Sequence, residues 1–262
     1  MAPLYSRYIA AKYAGQWGDY PGEAWTVRMQ RRVLSSRWWT GPVTVYGDWP
    51  TKSSNVVPFF TSMLSEEQIR RAARERKAGE GIRALFVGRL SASKNVHVLI
   101  EAAAALKKEG ICLNCSIVGE GPEAQNLRAL AARLGVSGQI EFAGGVPLGR
   151  VLDYYASSDA LVLTSQTEGW PKVVAEGMAF GLVCIASNRG FIPQMLADGR
   201  GIAVPPGDTK AVVDALRELG ANPGRFEGMR AKAASWSRAY SLEGLRDAIR
   251  NLLCERWGVE LS

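Results

Sequence analysis

The stretch "TEGWPKVVAEGMAFG" places two carboxylates, Glu168 and Glu176, in an E-x7-E spacing around an apolar segment that opens on Trp170-Pro171. Proline suits the first position of a helix, so this one is expected to begin near Trp170, with Glu168 just outside it and Glu176 in its second turn. A carboxylate set among Val173, Val174, Ala175 and Met178 is costly to bury alone and needs hydrogen-bond donors. Sugar hydroxyls would serve, and so would an arginine or a backbone amide. Upstream, "FVGRLSASKN" ends an apolar run at Gly88 and sets Arg89 and Lys94 around two serines ahead of a helical pattern. Cations beside the unpaired N–H groups of a helix start form an anion site, with diphosphate as its natural occupant. An ordinary solvated loop is the alternative. In "VGEGPEAQN", Gly119 and Gly121 precede Pro122, which is expected to open a helix, and glycines there let another group approach the backbone closely. That turn lacks the full G-x-G-x-x-G of a nucleotide-binding loop.

These loops need strands and helices to hold them. From Arg83 onward, short β-branched runs ("RALFVG", "LNCSIVG", "QIEFAG", "DALVLTS", "LVCIAS", "GIAV") alternate with helical patterns. Such alternation predicts an α/β fold with a doubly wound, Rossmann-like parallel sheet, in which ligands sit beyond the carboxyl ends of the strands. The tail from Pro223 reads as two more helices, with Ser241 as N-cap of the second. Residues 1–80 are different. They are rich in Trp, Tyr and Arg, with one helical pattern ("GEAWTVRMQRRVLSS"), two strand candidates ("PVTVYG", "NVVPFF") and a charged helix ending in a Gly-rich break. The expected division is a partial amino-terminal segment and linker over 1–80, the sheet domain over 81–222, and carboxyl-terminal helices over 223–262 that pack back across both.

The 262 residues are 47% hydrophobic and 22% charged, a globular composition. Its apolar runs fall well short of the roughly 20 residues of a membrane helix, and "MAPLYSRYIAAKYAG" lacks signal-peptide architecture, so a cytoplasmic protein is expected. Four cysteines and one histidine offer no metal set: "CLNC" has no second ligand pair, Cys112 and Cys115 read as strand residues, and His97 as a helix-face residue. The net charge of +7 invites an anionic partner. Arg28, Arg31, Arg32, Arg37, Arg70, Arg71, Arg74 and Arg76, near Trp38 and Trp39, fit a solvated face or an anionic membrane surface, and no nucleic-acid motif accompanies them.

Taken together, "VGRLSASKNVHVLIEA", the run from "SIVGEGP" through "TEGWPKVVAEGMAFGLVCIAS", and "GIAVPPGD" resemble the donor-binding domain of family 4 glycosyltransferases, retaining enzymes of the GT-B fold. The likeness covers about residues 81–220. It implies that Arg89 and Lys94 hold a donor diphosphate, that Glu176 binds the nucleotide ribose, and that Glu168 binds the transferred sugar. Gly169, Trp170 and Pro171 would then lie over the phosphate–sugar junction, with Gly88, Gly119 and Lys172 completing the donor site. No cofactor or metal is implied. The partners implied are a UDP- or GDP-sugar donor and a carbohydrate or lipid-linked acceptor, as in polysaccharide biosynthesis, with peripheral contact at the inner membrane face left open.

The sequence departs from the family pattern at Trp170-Pro171, where many members have Phe-Gly, and at Asn95, where many have glycine. Upstream, a GT-B enzyme carries a whole acceptor domain, and residues 1–80 read as the last third of one. The expectation is a retaining hexosyltransferase-type enzyme with Arg89, Lys94 and Glu168 as its catalytic groups, truncated and weak or inactive alone. A non-catalytic nucleotide-sugar-binding subunit completed by a partner chain or dimer is the second reading, and a basic nucleic-acid-binding protein the third.

Overall fold

A computed structural model describes residues 8–20, 22–50, 53–62, 64–72 and 81–258. Two parallel sheets result. The larger has six strands in the order β6-β5-β4-β7-β8-β9. These are β4 (Ile82–Val87), β5 (Leu113–Val118), β6 (Ile140–Gly144), β7 (Ala160–Leu163), β8 (Val183–Ser187) and β9 (Ile202–Val204). All six answer to runs expected from sequence. Every residue of β7 and β8 is buried, because helices cover both faces of a doubly wound sheet. From β4 the chain winds outward through β5 to β6, then returns to β7 and winds the other way. Ala84 of β4 pairs with Cys115 on one side and Ala160 on the other. The β4–β7 seam is therefore the topological switch point, where such folds open a crevice at the carboxyl edge.

The connecting helices are α3 (His97–Lys108), α4 (Ala124–Arg133), α5 (Leu148–Ala156), α6 (Lys172–Ala179), α7 (Ile192–Leu196) and α8 (Thr209–Ala221). Two starts differ from expectation. Pro171 is the N-cap of α6 in extended backbone rather than its first helical residue, and Pro122 lies before α4, whose N-cap is Glu123. Cys112 stands just ahead of β5, exposed, while Cys115 is buried in the strand; both are free thiols.

The smaller sheet has three strands in the order β1-β2-β3. β2 (Val43–Tyr46) and β3 (Val56–Phe59) were legible; β1 (Ala11–Tyr13) was not, being three residues without alternation. Pro58 sits within β3, which is an edge strand, where its missing N–H costs no ladder bond. Helix α1 (Trp25–Leu34) bridges β1 and β2. Its Arg31 corrects the solvated-face expectation: it is buried and pairs with Glu23 and Asp19, while Trp25, Met29, Val33 and Trp38 are exposed. Arg74 and Arg76 lie outside the described residues, as does the side chain of Arg71.

The tail forms α9 (Glu227–Ser237) and α10 (Leu242–Trp257), and Ser241 caps α10 by accepting from the Gly244 N–H at 2.9 Å. It also reaches residues upstream of the large sheet. The Leu242 N–H donates to the Leu64 carbonyl at 2.9 Å, Glu243 accepts from the Glu66 N–H at the start of α2 (Glu66–Ala72), and Arg256 donates to the Ser54 carbonyl.

Candidate donor site

The loops after β4 and β7 are stitched together across the switch point. The Gln166 N–H donates to the Ser93 carbonyl at 2.8 Å. Asn95, 6% exposed, donates from Nδ2 to the Thr164 carbonyl at 2.8 Å, and Thr164 Oγ1 returns a bond to the Asn95 carbonyl at 3.2 Å. Asn95 has φ +49°, in the left-handed region that asparagine tolerates better than most side chains. Thus the residue standing in place of the family glycine keeps the left-handed turn and adds an anchor.

This stitching delivers the principal pair. Lys94 Nζ donates to Glu168 Oε1 at 2.6 Å, with both side chains only partly accessible. Arg89, two residues past the end of β4 at Val87, is exposed and makes no ion pair among the described residues. One cation is thereby held against the carboxylate, and a second, exposed and without an ion pair among the described residues, lies on the same loop after β4. Together they leave a site with net positive charge at the carboxyl edge, close to the start of α6, where exposed Lys172 adds another cation.

Gly88 and Gly119 have a structural task. The Gly88 N–H donates to the Val118 carbonyl and the Gly119 N–H to the Gly144 carbonyl, drawing three strand ends together. A Cβ on Gly119 would overlap the Gly88 carbonyl, and one on Gly121 the Leu90 carbonyl. The group that approaches these glycines closely is thus the neighbouring loop of the protein itself.

Trp170 also departs from expectation. Its ring is 6% exposed and stacks on Phe191 (centroids 4.9 Å, 19°) and Trp236 (6.1 Å, 23°), with Tyr240 at 4.9 Å and Phe60 at 5.9 Å. Trp170 thus turns inward into apolar company, with its buried Nε1–H unpartnered among the described residues, and Pro171 is buried beside it. Gly169 remains at the surface of the loop, pressed against the small sheet: a Cβ there would overlap the Ala14 carbonyl.

Glu176 is not joined to the Lys94–Glu168 pair. It is 7% exposed and accepts at Oε2 from the Tyr155 hydroxyl at 2.7 Å. It lines a crevice with Thr61, Ser62, Lys172 and Tyr240, a cavity of about 10 Å³, room for roughly one water. Burial pushes the Glu176 carboxyl above its ordinary range, and the Tyr155 hydrogen bond and Lys172 only partly oppose that. Two residues escaped the sequence reading. Tyr155 looked like one aromatic of the "LDYYASS" helix, and Gln16 lay in a segment without pattern. Gln16 Oε1 accepts from the Gly190 N–H at 3.0 Å, and a Cβ on Gly190 would overlap the Glu168 carbonyl, so the small sheet touches the loop that carries Glu168.

The profile of the family described as glycosyl transferases group 1 matches residues 67–236. The chain belongs to this family. Among curated relatives of this chain, the D-inositol 3-phosphate glycosyltransferase of Acidothermus cellulolyticus is 29% identical over 91% of the chain and 59% of its own length. The putative colanic acid biosynthesis glycosyltransferase WcaL of Salmonella typhimurium is 30% identical over 69% of the chain and 45% of its own length. The chain thus spans about half the length of these relatives. In solved structures, a glycosyltransferase from Rickettsia africae superposes with a TM-score of 0.74 at 16% identity over 93% of this chain and 69% of that one. Anabaena HepE in complex with UDP-glucose gives 0.74 at 17% identity, over 95% and 72%. These likenesses agree with the expected α/β fold of parallel sheets, the GT-B type. Among the described residues no helix is long and apolar enough to cross a membrane.

Proposed function

We propose that this chain binds a nucleoside-diphosphate sugar at the β4–β7 switch point and supplies the donor side of a retaining, family 4 glycosyl transfer. The observation that carries the reading is the meeting of Lys94 with Glu168 across that seam, with Arg89 exposed on the same post-β4 loop and without an ion pair among the described residues. Arg89 and Lys94 would take the diphosphate, Glu168 a hydroxyl of the transferred sugar, and Glu176 the ribose. The structures of HepE with UDP and UDP-glucose favour a uridine nucleotide as the first donor to try.

In this reading no metal is needed, because two cations face the leaving diphosphate. The anomeric C–O bond breaks with its electron pair going to the diphosphate, leaving an oxocarbenium-like sugar. The acceptor hydroxyl attacks from the same face and passes its proton to the departing phosphate oxygen. Retention follows without a protein nucleophile. Positioning of the acceptor falls to the other half of the fold, of which residues 8–62 supply three strands. A second reading is a donor-binding chain that turns over only when a partner supplies acceptor positioning. The nucleic-acid reading loses one arginine of its basic face, since Arg31 is buried with Glu23, while Arg28, Arg32, Arg37 and Arg70 stay exposed.

The test is calorimetric titration with UDP, GDP and their sugar conjugates. Saturable binding of one nucleotide, lost in Arg89→Ala, supports a working donor site. Absence of binding to all of them would sink it. Turnover of a bound donor by the chain alone, with simple acceptors, would exclude the partner-dependent reading.

A further inference from the structure

Tyr155, on α5, is fully buried and belongs to none of the loops at the carboxyl edge of the sheet. Its ring stacks on Phe180 at 5.4 Å and 28°, which fixes the direction of its C–O bond. A buried phenol needs a hydrogen-bond partner, and this one finds Glu176 Oε2 at 2.7 Å. Among the described residues no other side chain donates to that carboxylate. Two torsions past Cβ would otherwise leave a glutamate head group free to turn. With one oxygen held by Tyr155, the other is left without a side-chain donor among the described residues.

We infer that Tyr155 is a positioning residue of the donor site: its hydroxyl holds Glu176 so that the carboxylate presents a single, fixed oxygen to a vicinal diol. This rests on the reading of Glu176 as the ribose ligand. The class of ligand it selects is a nucleotide with an intact ribose, because a lone oriented oxygen gains most from the adjacent 2′- and 3′-hydroxyls. Burial and the neighbouring carboxylate keep the Tyr155 hydroxyl protonated far above neutral pH, so it serves as a donor throughout the working range. The titratable groups around the pair are Lys172 on α6, Cys184 on β8 and Tyr240 across the crevice. Burial raises the Cys184 thiol and the Tyr240 hydroxyl alike, so neither becomes charged near neutral pH.

The experiment compares UDP and GDP titrations of the whole chain as wild type, Tyr155→Phe, Glu176→Gln and the double variant, between about pH 5 and pH 8. Tyr155→Phe should weaken nucleotide binding by about fivefold to tenfold, the worth of one hydrogen bond. It should also move the acid limb of the affinity profile to higher pH, because the lost bond favoured the charged carboxylate. In the Glu176→Gln background the same change should do nothing further. Equal losses in both backgrounds, or a loss without movement of the limb, would overturn the assignment and mark Tyr155 as packing alone. A ligand-free readout stands beside it: with ¹³C-labelled glutamate, the resonance removed by Glu176→Gln should titrate at higher pH in Tyr155→Phe, and an unmoved titration also overturns the assignment. If wild type binds neither nucleotide, the donor reading fails and the diol role of Glu176 falls with it. If wild type binds and Tyr155→Phe is silent, only the present inference fails.

Discussion

Lys94 and Glu168, 74 positions apart, meet at 2.6 Å over the β4–β7 seam, so the cation assigned to the diphosphate is held by the carboxylate assigned to the sugar. A donor entering this site must loosen that pair while offering each partner a replacement. Glu168→Gln should therefore strengthen binding of UDP alone by roughly twofold to fivefold, the worth of a partly exposed ion pair. It should erase the added affinity of the sugar conjugate. Lys94→Ala should weaken both ligands. Parallel titrations decide it, and equal losses for UDP and conjugate in Glu168→Gln would contradict the division of roles.

Arg89 contributes nothing visible to the fold, being exposed and unpaired among the described residues. Arg89→Ala should leave the melting temperature where it is. Nucleotide affinity should fall by roughly tenfold to a hundredfold, in keeping with a hydrogen bond to a charged group. A melting point lowered along with affinity would point to a structural role instead.

Glu176 carries a pH signature. Its folded carboxyl lies above the ordinary value because burial disfavours the charge. The folded state thus holds its proton more tightly than the unfolded chain. Its contribution to stability is fully present below the unfolded value of about 4.5 and is lost as pH rises through the folded one. Glu176→Gln should flatten the fall in urea stability above pH 4.5 and leave the variant more stable than wild type at pH 8 without ligand. The check is a series of urea melts across that range.

Asn95 separates backbone from side chain. Asn95→Gly keeps the left-handed turn and loses only the bond to the Thr164 carbonyl, at a cost of about 1–3 kcal/mol for a buried acceptor left unpaired. Asn95→Ala adds the strain of a Cβ at φ +49°, roughly 1–2 kcal/mol more. Denaturant unfolding should rank wild type, Gly and Ala in that order.

Much of this was legible in the sequence for reasons specific to each element. The central strands β7 and β8 are buried along their whole length because helices cover both faces, and the β-branched and apolar residues of β4, β5 and β6 keep those strands readable despite Arg83, Asn114, Ser116 and Glu141. Lys94 and Glu168 could be nominated from their loops, because in a doubly wound sheet every post-strand loop opens on the same edge. Their contact could not, since strand order decides which loops are neighbours. Trp170 was misjudged because a loop tryptophan looks available until its packing partners Phe60, Phe191, Trp236 and Tyr240 are known, and these come from three separate segments. Tyr155 was hidden by its neighbour: Tyr154 bonds Glu141 at the surface while Tyr155 faces Glu176, and periodicity alone does not say which of two adjacent tyrosines turns inward.

The aromatic cluster around Trp170 has an optical consequence. Two indoles with centroids 6.1 Å apart and planes inclined by 23° couple their electronic transitions, so Trp170 and Trp236 should give a bisignate circular dichroism band that neither gives alone. Tyr46 of the small sheet touches the same indole, at 6.3 Å. Any shift of one sheet against the other would disturb the couplet, which makes the chain its own gauge of how its two halves are seated, with no label attached.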